Sequence, residues 1–129
     1  MATGFPAATG DVLSAAMYNG LTSFSVGAAN TADYTAVLAD QYQRLEIMNK
    51  ATAIAFKIPT DASVAFEIGT VLTVLNIGVG TCTISAVTPG TTTVLSAGGT
   101  AASPTLAQYK SAACIKTATD TWVVVGAIA

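Results

Sequence analysis

The sequence predicts an all-β fold: a β-sandwich or jelly-roll-like module preceded by an extended N-terminal arm with a short helix. From Lys57 onward, short runs rich in Val, Ile, Leu and Thr alternate repeatedly with turn residues, a rhythm typical of sandwiches and barrels. Several runs alternate apolar and polar residues, as a strand with one buried face does. The 129 residues suffice for one domain. We assign residues 1–33 to the arm and its linker, and residues 34–129 to the β-sandwich domain.

The predicted arm combines a flexible start, a short helix and a linker. Thr9 or Asp11 is a suitable helix cap, and apolar residues then recur at roughly helical spacing as far as Leu21. Residues 22–31, rich in Ser, Gly, Ala and Asn, predict a loop. The arm either folds back on its own domain or docks on a neighbour. In the second case its partner-binding residues are the apolar ones, Phe5, Pro6, Val12, Leu13, Tyr18, Leu21 and Phe24.

Strands are predicted next at residues 34–38, 43–48 and 53–58. Residues 39–41 would form the first turn, and Pro59, which cannot donate to a ladder, ends the third strand. A helix over residues 38–48 is the alternative for the second strand, because its apolar residues also fit a helical face.

The next part of the chain predicts strands at residues 64–68, 71–77 and 82–86. Gly69 separates the first two, and residues 78–80 are interpreted as a tight hairpin link. Alternation directs Cys82 and Ile84 inward and places Glu67 on an outer face. A short strand at residues 92–95 precedes a Gly/Ala/Ser-rich loop at residues 96–103. Residues 109–117 and 122–127 then predict a final hairpin.

Charged residues make up only 9% of the chain, whereas hydrophobic residues make up 52%. Typical domains carry about 25% charged residues. Either Thr, Ser, Asn and Gln coat the outside, or much of the outside is buried against other subunits. The second explanation favours an oligomer, because obligate interfaces resemble a domain core.

Charge and composition also argue against several classes of function. The net charge is −2, and no basic stripe is present that would bind nucleic acid. Apolar tracts are broken well before the ~20 residues of a spanning helix, so no membrane insertion is expected. The start lacks the pattern of a signal peptide. Histidine, the commonest general base and metal ligand, is absent.

No group of residues predicts catalysis, a cofactor or a metal. Cys82 and Cys114 could form a disulfide if their strands are neighbours, but without an export signal a pair of buried thiols is favoured. Most acidic residues fall at predicted turns, where Asp commonly bonds backbone. Trp122 and Tyr109 are interpreted as core anchors. We therefore expect a protein that is not an enzyme.

Several motifs resemble a β-module of tailed-bacteriophage structural proteins. They are the run at residues 63–74, the run at residues 78–84, Ser96-Ala-Gly-Gly99, Tyr109, Ile115-Lys116, and the ending Thr119-Asp-Thr-Trp-Val-Val-Val-Gly126. The opening at residues 5–13 is also similar to the start of such proteins. One departure lies at residues 100–106: such proteins often have a basic or polar stretch there, whereas this chain lacks charge there and contains Pro104.

The resemblance implies a virion protein, usually a homotrimer. One role is a capsid decoration or cement protein that bridges subunits of the major capsid protein. The alternative is the tip of a tail fibre or spike that binds a host-surface glycan or receptor. The sequence starts at Met1 with only a short arm, which favours decoration. The predicted loops after Asn49 hold no aromatic residue, and this argues against a receptor-binding tip.

Overall fold

The computed structural model describes residues 25–41, 44–97 and 103–128, and these residues are mostly β-strand. The mainly β fold is thus confirmed. The strands of the described residues are β1 Ser25–Asn30, β2 Tyr34–Thr35, β3 Arg44–Met48, β4 Ile54–Ile58, β5 Val71–Asn76, β6 Cys82–Ala86, β7 Thr93–Ser96, β8 Thr105–Leu106, β9 Lys110–Ala118 and β10 Thr121–Gly126. One 3-10 helix, Leu38–Gln41, lies between β2 and β3.

The strands form two mixed sheets, and the chain alternates between them. The six-stranded sheet has the order β1-β3-β5-β9-β10-β7, and the four-stranded sheet has the order β2-β4-β6-β8. Because successive strands from β1 to β6 enter opposite sheets, neighbours within a sheet are two strands apart in sequence. They run parallel in β1–β3, β3–β5, β2–β4 and β4–β6. The chain reverses within one sheet at the antiparallel β9–β10 hairpin.

Alternate residues of both sheets contribute to one hydrophobic core. Met48, Leu72 and Trp122 come from the six-stranded sheet, while Phe56 and Ile84 come from the four-stranded sheet. All five side chains are almost fully buried. Burial of each large apolar side chain stabilises the fold by about 1.5–3 kcal/mol.

Several predictions are confirmed. Residues 44–48 form a strand rather than the alternative helix, and the predicted turn before it is the 3-10 helix. Strands occur as predicted within residues 53–58, 71–77 and 82–86 and close to residues 92–95. The final hairpin is present, with Asp120 in the left-handed conformation at its turn (φ 48°), a conformation that Asp tolerates. Trp122 is buried, as a core anchor should be.

Three predictions about connections are wrong. Residues 25–30 are a strand paired with β3, not part of a linker. The absence of a side chain at Gly27 leaves room there for the side chains of Arg44 and Glu46 on β3. Residues 64–68 are not a strand: a turn that starts at Thr60 continues into a loop, in which Phe66 is buried while Ile68 is 64% exposed. Residues 78–80 are not a hairpin link, because β5 and β6 belong to different sheets.

The first predicted strand, residues 34–38, is shorter in the structure. Only Tyr34 and Thr35 pair with β4 before the 3-10 helix begins. The loop at residues 96–103 is described only at its ends, and β8 follows it without having been predicted. The arm helix lies outside the described residues and stays a prediction. The described part of the predicted arm contributes β1 to the six-stranded sheet.

Candidate functional site

The six-stranded sheet has a second face, directed away from the core, which we name the outer face. In β5, β7, β9 and β10 its residues alternate in sequence with buried positions. In β1 and β3 they are assigned by pairing register, because Leu45 pairs with Thr73 and Val26, and Ile47 pairs with Leu75 and Ala29. Within the described strands the outer face consists of Val26, Ala29, Leu45, Ile47, Val71, Thr73, Leu75, Thr93, Leu95, Ser111, Ala113, Ile115, Thr117, Thr121, Val123 and Val125. None of these residues is charged.

The strand register arranges the outer face in transverse rows. One row runs from Val26 through Leu45, Thr73 and Ala113 to Val125. Val26 and Val125 are 65% and 45% exposed. Side chains in such rows lie close enough to form one continuous surface.

A second row lies next to the first. It joins Val71, Ile115, Val123 and Leu95 across four strands. Val71 is 44% exposed, and the other three are half-buried. The two rows make a largely apolar surface on a sheet whose opposite side already forms the core.

Charged groups of the six-stranded sheet point the other way, and some of them form a carboxylate cluster beside the 3-10 helix. Asp40 and Glu46 are both buried. The Tyr34 hydroxyl donates to Asp40 Oδ2 at 2.6 Å, and Arg44 Nε donates to Glu46 Oε1 at 2.9 Å. Asn30 Nδ2 donates to Glu46 Oε2 at 3.3 Å. The cluster links β1, β2, β3 and the 3-10 helix.

Burial raises the pKa of Glu46 from 4.5 to about 7, helped by a shared hydrogen bond with Asp40 and by the charge of Asp40. Burial also raises the pKa of Tyr34 well above its ordinary value. Raised carboxyl pKa values occur at catalytic sites, and a protonated Glu46 is able to donate a proton. The bonds from Tyr34 and Asn30 nevertheless each join one structural element to another, so the cluster is interpreted as a structural link.

The position of Glu46 was missed from sequence. Its place between Leu45 and Ile47 in a predicted strand was visible, but nothing indicated which face would be buried. A charged residue that alternates with outward aliphatic residues is the signal that could have identified it.

A second polar cluster surrounds Lys116, which is only 3% exposed. Its Nζ lies 2.8 Å from Asp61 Oδ1 and also donates to the Phe66 carbonyl. Asp120 N donates to Asp61 Oδ2 at 3.1 Å, and Asp61 N donates to Asp120 Oδ1 at 2.8 Å. The predicted turn aspartates do bond backbone, but each bonds the other's turn. The cluster fastens the loop after β4 to the β9–β10 turn.

Tyr109 corrects the prediction that the loops after Asn49 hold no aromatic residue. It lies in the turn before β9 rather than in a strand, is 73% exposed, and has a φ of 62°. Its core-anchor interpretation is therefore wrong. Tyr109 N donates to the carbonyl of buried Asn76 at 2.6 Å. A left-handed conformation is unusual for a bulky residue, and residues with such strained backbone cluster at functional sites.

The cysteines are free and buried. Burial raises the pKa of Cys82 to about 11 and that of Cys114 to about 12. Such thiols are poor nucleophiles, since the thiolate is the reactive form. The interpretation as buried thiols is confirmed.

The structure does not place the predicted partner-binding residues, because Phe5, Pro6, Val12, Leu13, Tyr18, Leu21 and Phe24 lie outside the described residues. Among the residues it does describe, no group of three or more His, Cys, Asp or Glu side chains could hold a metal ion. In the same part of the chain, no helix has the length and apolar character needed to cross a membrane.

No protein-family model, curated protein or solved structure matches the chain. The resemblance to phage structural proteins therefore rests on the sequence motifs alone.

Proposed function

We propose that this chain is a non-enzymatic virion structural protein of a tailed bacteriophage. In this proposal it is a homotrimeric capsid decoration, or cement, protein that stabilises the head by bridging subunits of the major capsid protein. It would be assembled in the host cytoplasm and act in the virion. It uses no cofactor, binds no nucleic acid and does not insert into membranes.

The uncharged outer face is the observation that carries this proposal. A trimeric cement protein buries apolar surface between its own copies as well as against the capsid, and it requires no reaction. At about 25 cal/mol per Å², burying a few hundred Å² of apolar surface contributes several kcal/mol before the cost of association. Repetition over a symmetric particle adds avidity.

The proposal includes a finer description of the fold, in which the two sheets stack as a β-sandwich. Support comes from the single core cluster that draws on buried positions of both sheets. The parallel pairs distinguish this arrangement from the antiparallel strands of a jelly roll.

Co-sedimentation with undecorated capsids tests the function. We expect saturable binding by the full chain. A variant lacking residues 1–24 should keep the circular dichroism of the β-module and lose attachment, because the predicted arm carries the capsid-binding residues. Absence of capsid binding by the full chain would overturn the function, whereas full binding by the truncated variant would overturn only the role of the arm.

A second candidate function is a receptor-binding tip of a tail fibre or spike, and exposed Tyr109 favours it. Tyrosine supplies contact area at low entropic cost and is enriched in binding sites. Gln108, the residue before Tyr109, donates from Nε2 to the Ile77 carbonyl at 3.2 Å. This bond connects the turn that holds Tyr109 to the segment that holds Val79, which is 74% exposed. Binding to host cells that Tyr109→Ala abolishes, together with no binding to capsids, would select this function.

A further inference from the structure

We propose that the outer face is a self-association surface, and that it is covered by further copies of this chain. The inference deepens the proposed function and rests on it for the number of copies, which is three. It assigns the contact between copies to the outer face. The arm is left to contact the capsid.

The extent of the outer face is the first argument. Six strands spaced about 4.8 Å apart span about 29 Å, and about five residues of 3.3 Å each give a length of about 17 Å. The projected area is therefore about 500 Å², before side-chain relief is counted. Monomeric proteins rarely expose contiguous apolar patches larger than a few hundred Å². A standard interface buries about 800 Å² on each partner, and this face covers roughly three-fifths of that area.

Charge is the second argument, and it selects the occupant. A partner with a charged surface would lose solvation against this face without gaining an ion pair. The outer face itself is a suitable partner, because no charge on one copy meets a charge on another. Three outer faces arranged about a threefold axis would form a common core, in which the rows of Val26 and Val71 contact those of neighbouring copies.

The distribution of charge in the fold is the third argument. Glu46 and Lys116 belong to strands of the six-stranded sheet, yet both side chains lie on the buried side. Each needs partners there to offset the cost of burial. In a monomer, both charges would be solvated on the outer face and would not incur this cost of burial. Placement of both charges on the core side is expected if the outer face is buried in the assembly.

The test measures the mass of the full-length protein by sedimentation equilibrium and compares two pairs of variants. Val26→Glu and Val125→Glu place a charge on the outer face. Val79→Glu and Val87→Glu are matched controls off this face, since Val79 is 74% and Val87 is 47% exposed. Circular dichroism and thermal unfolding establish that each variant is folded.

We expect the wild-type protein to have a mass of three times the 12.9 kDa of one chain at micromolar concentration. Each outer-face variant should raise the dissociation constant at least about a hundredfold, because it buries an unpaired charge, and the controls should leave it unchanged. A monomeric wild-type protein would overturn the inference without any variant, and that is the outcome expected if residues 1–24 of the same chain cover the face. Folded outer-face variants that remain associated would overturn it as well.

The capsid experiment separates this inference from the proposed function. An oligomer that does not bind capsids keeps the inference and removes the cement function. A monomer that binds capsids does the reverse.

Discussion

At the scale of single residues, Glu46 is the group most affected by its surroundings. Its carboxyl faces Asp40 from the 3-10 helix, Arg44 from its own strand and Asn30 from β1. One half-exposed arginine thus accompanies two buried carboxyls. A proton held on Glu46 is the simplest way to limit the buried negative charge.

This arrangement predicts that stability depends on pH. The pKa of Glu46 is 4.5 in the unfolded chain and about 7 in the folded protein. The folded state therefore binds more protons between these values, and the contribution of Glu46 to the free energy of unfolding falls as pH rises from about 4.5 to 7. Glu46→Gln, which stays neutral, should remove this decline. Urea unfolding midpoints at pH 5 and pH 8 measure it.

Glu67→Gln is the matched control for that experiment, because Glu67 is exposed in the loop after β4. It should retain the decline of the wild-type protein. An unchanged pH dependence in Glu46→Gln would show that Glu46 is not the responsible group.

At the scale of elements, the Lys116 cluster holds a loop that has little regular structure of its own. Gly69 N donates to the Lys116 carbonyl at 2.8 Å, and Lys116 N donates to the Thr70 carbonyl at 2.9 Å. The side-chain bonds to Asp61 and Phe66 complete the attachment. This loop brings Phe66 against Trp122, with ring centroids 5.5 Å apart at 90°.

Removing Asp61 leaves the Lys116 charge buried and unpaired, and this should lower the free energy of unfolding more than replacing Lys116 by an apolar residue. Asp61→Ala leaves the Lys116 charge buried and should reduce the free energy of unfolding by about 3–5 kcal/mol. Lys116→Met fills a similar volume without a charge and should cost less. Glu67→Ala, in the same loop, should be nearly neutral. Urea unfolding at pH 7 measures all three, and an equal loss in the first two variants would contradict the explanation.

The crossing between β5 and β6 depends on glycines. A Cβ added at Gly80 would collide with the backbone of Thr52, and one at Gly78 would collide with that of Lys50. Gly80→Ala should therefore destabilise the protein by about 1–3 kcal/mol, as overpacking does. Gly90→Ala, where a Cβ meets nothing within 4 Å, is the control and should be nearly neutral. Thermal unfolding compares the two variants, and equal melting temperatures would contradict the assigned contact.

The positions of most strands could be predicted from the sequence, but the connections between them could not. Alternation identified β5, β6 and the β9–β10 pair, because one face of each is buried. Turn residues such as those at 78–80 suggested hairpins, since short links usually join antiparallel neighbours. Here the same residues cross between sheets and lie against the backbone of Lys50 and Thr52. Long-range pairing of this kind leaves no local pattern.

At the scale of the whole molecule, the low charge content is explained by where apolar side chains lie. One set fills the core between positions of both sheets, and a second set forms the outer face. The composition left two explanations, a surface coated by Thr, Ser, Asn and Gln or a surface buried against other subunits. The strand register, which sequence does not show, is what gathers Val26, Val71 and Val125 onto one side of one sheet.

If copies of the chain associate through this side, stability must depend on protein concentration. Association stabilises the folded state by mass action, so a tenfold increase in concentration should raise the melting temperature by about 3 °C for a trimer of this size. Val125→Glu should abolish the increase, because the charge it adds is exposed in the monomer and buried in the assembly. Val87→Glu should retain it. Calorimetric scans over a hundredfold range of concentration measure the effect, and a melting temperature of the wild-type protein that does not change with concentration would mean that the outer face is not an interface between copies.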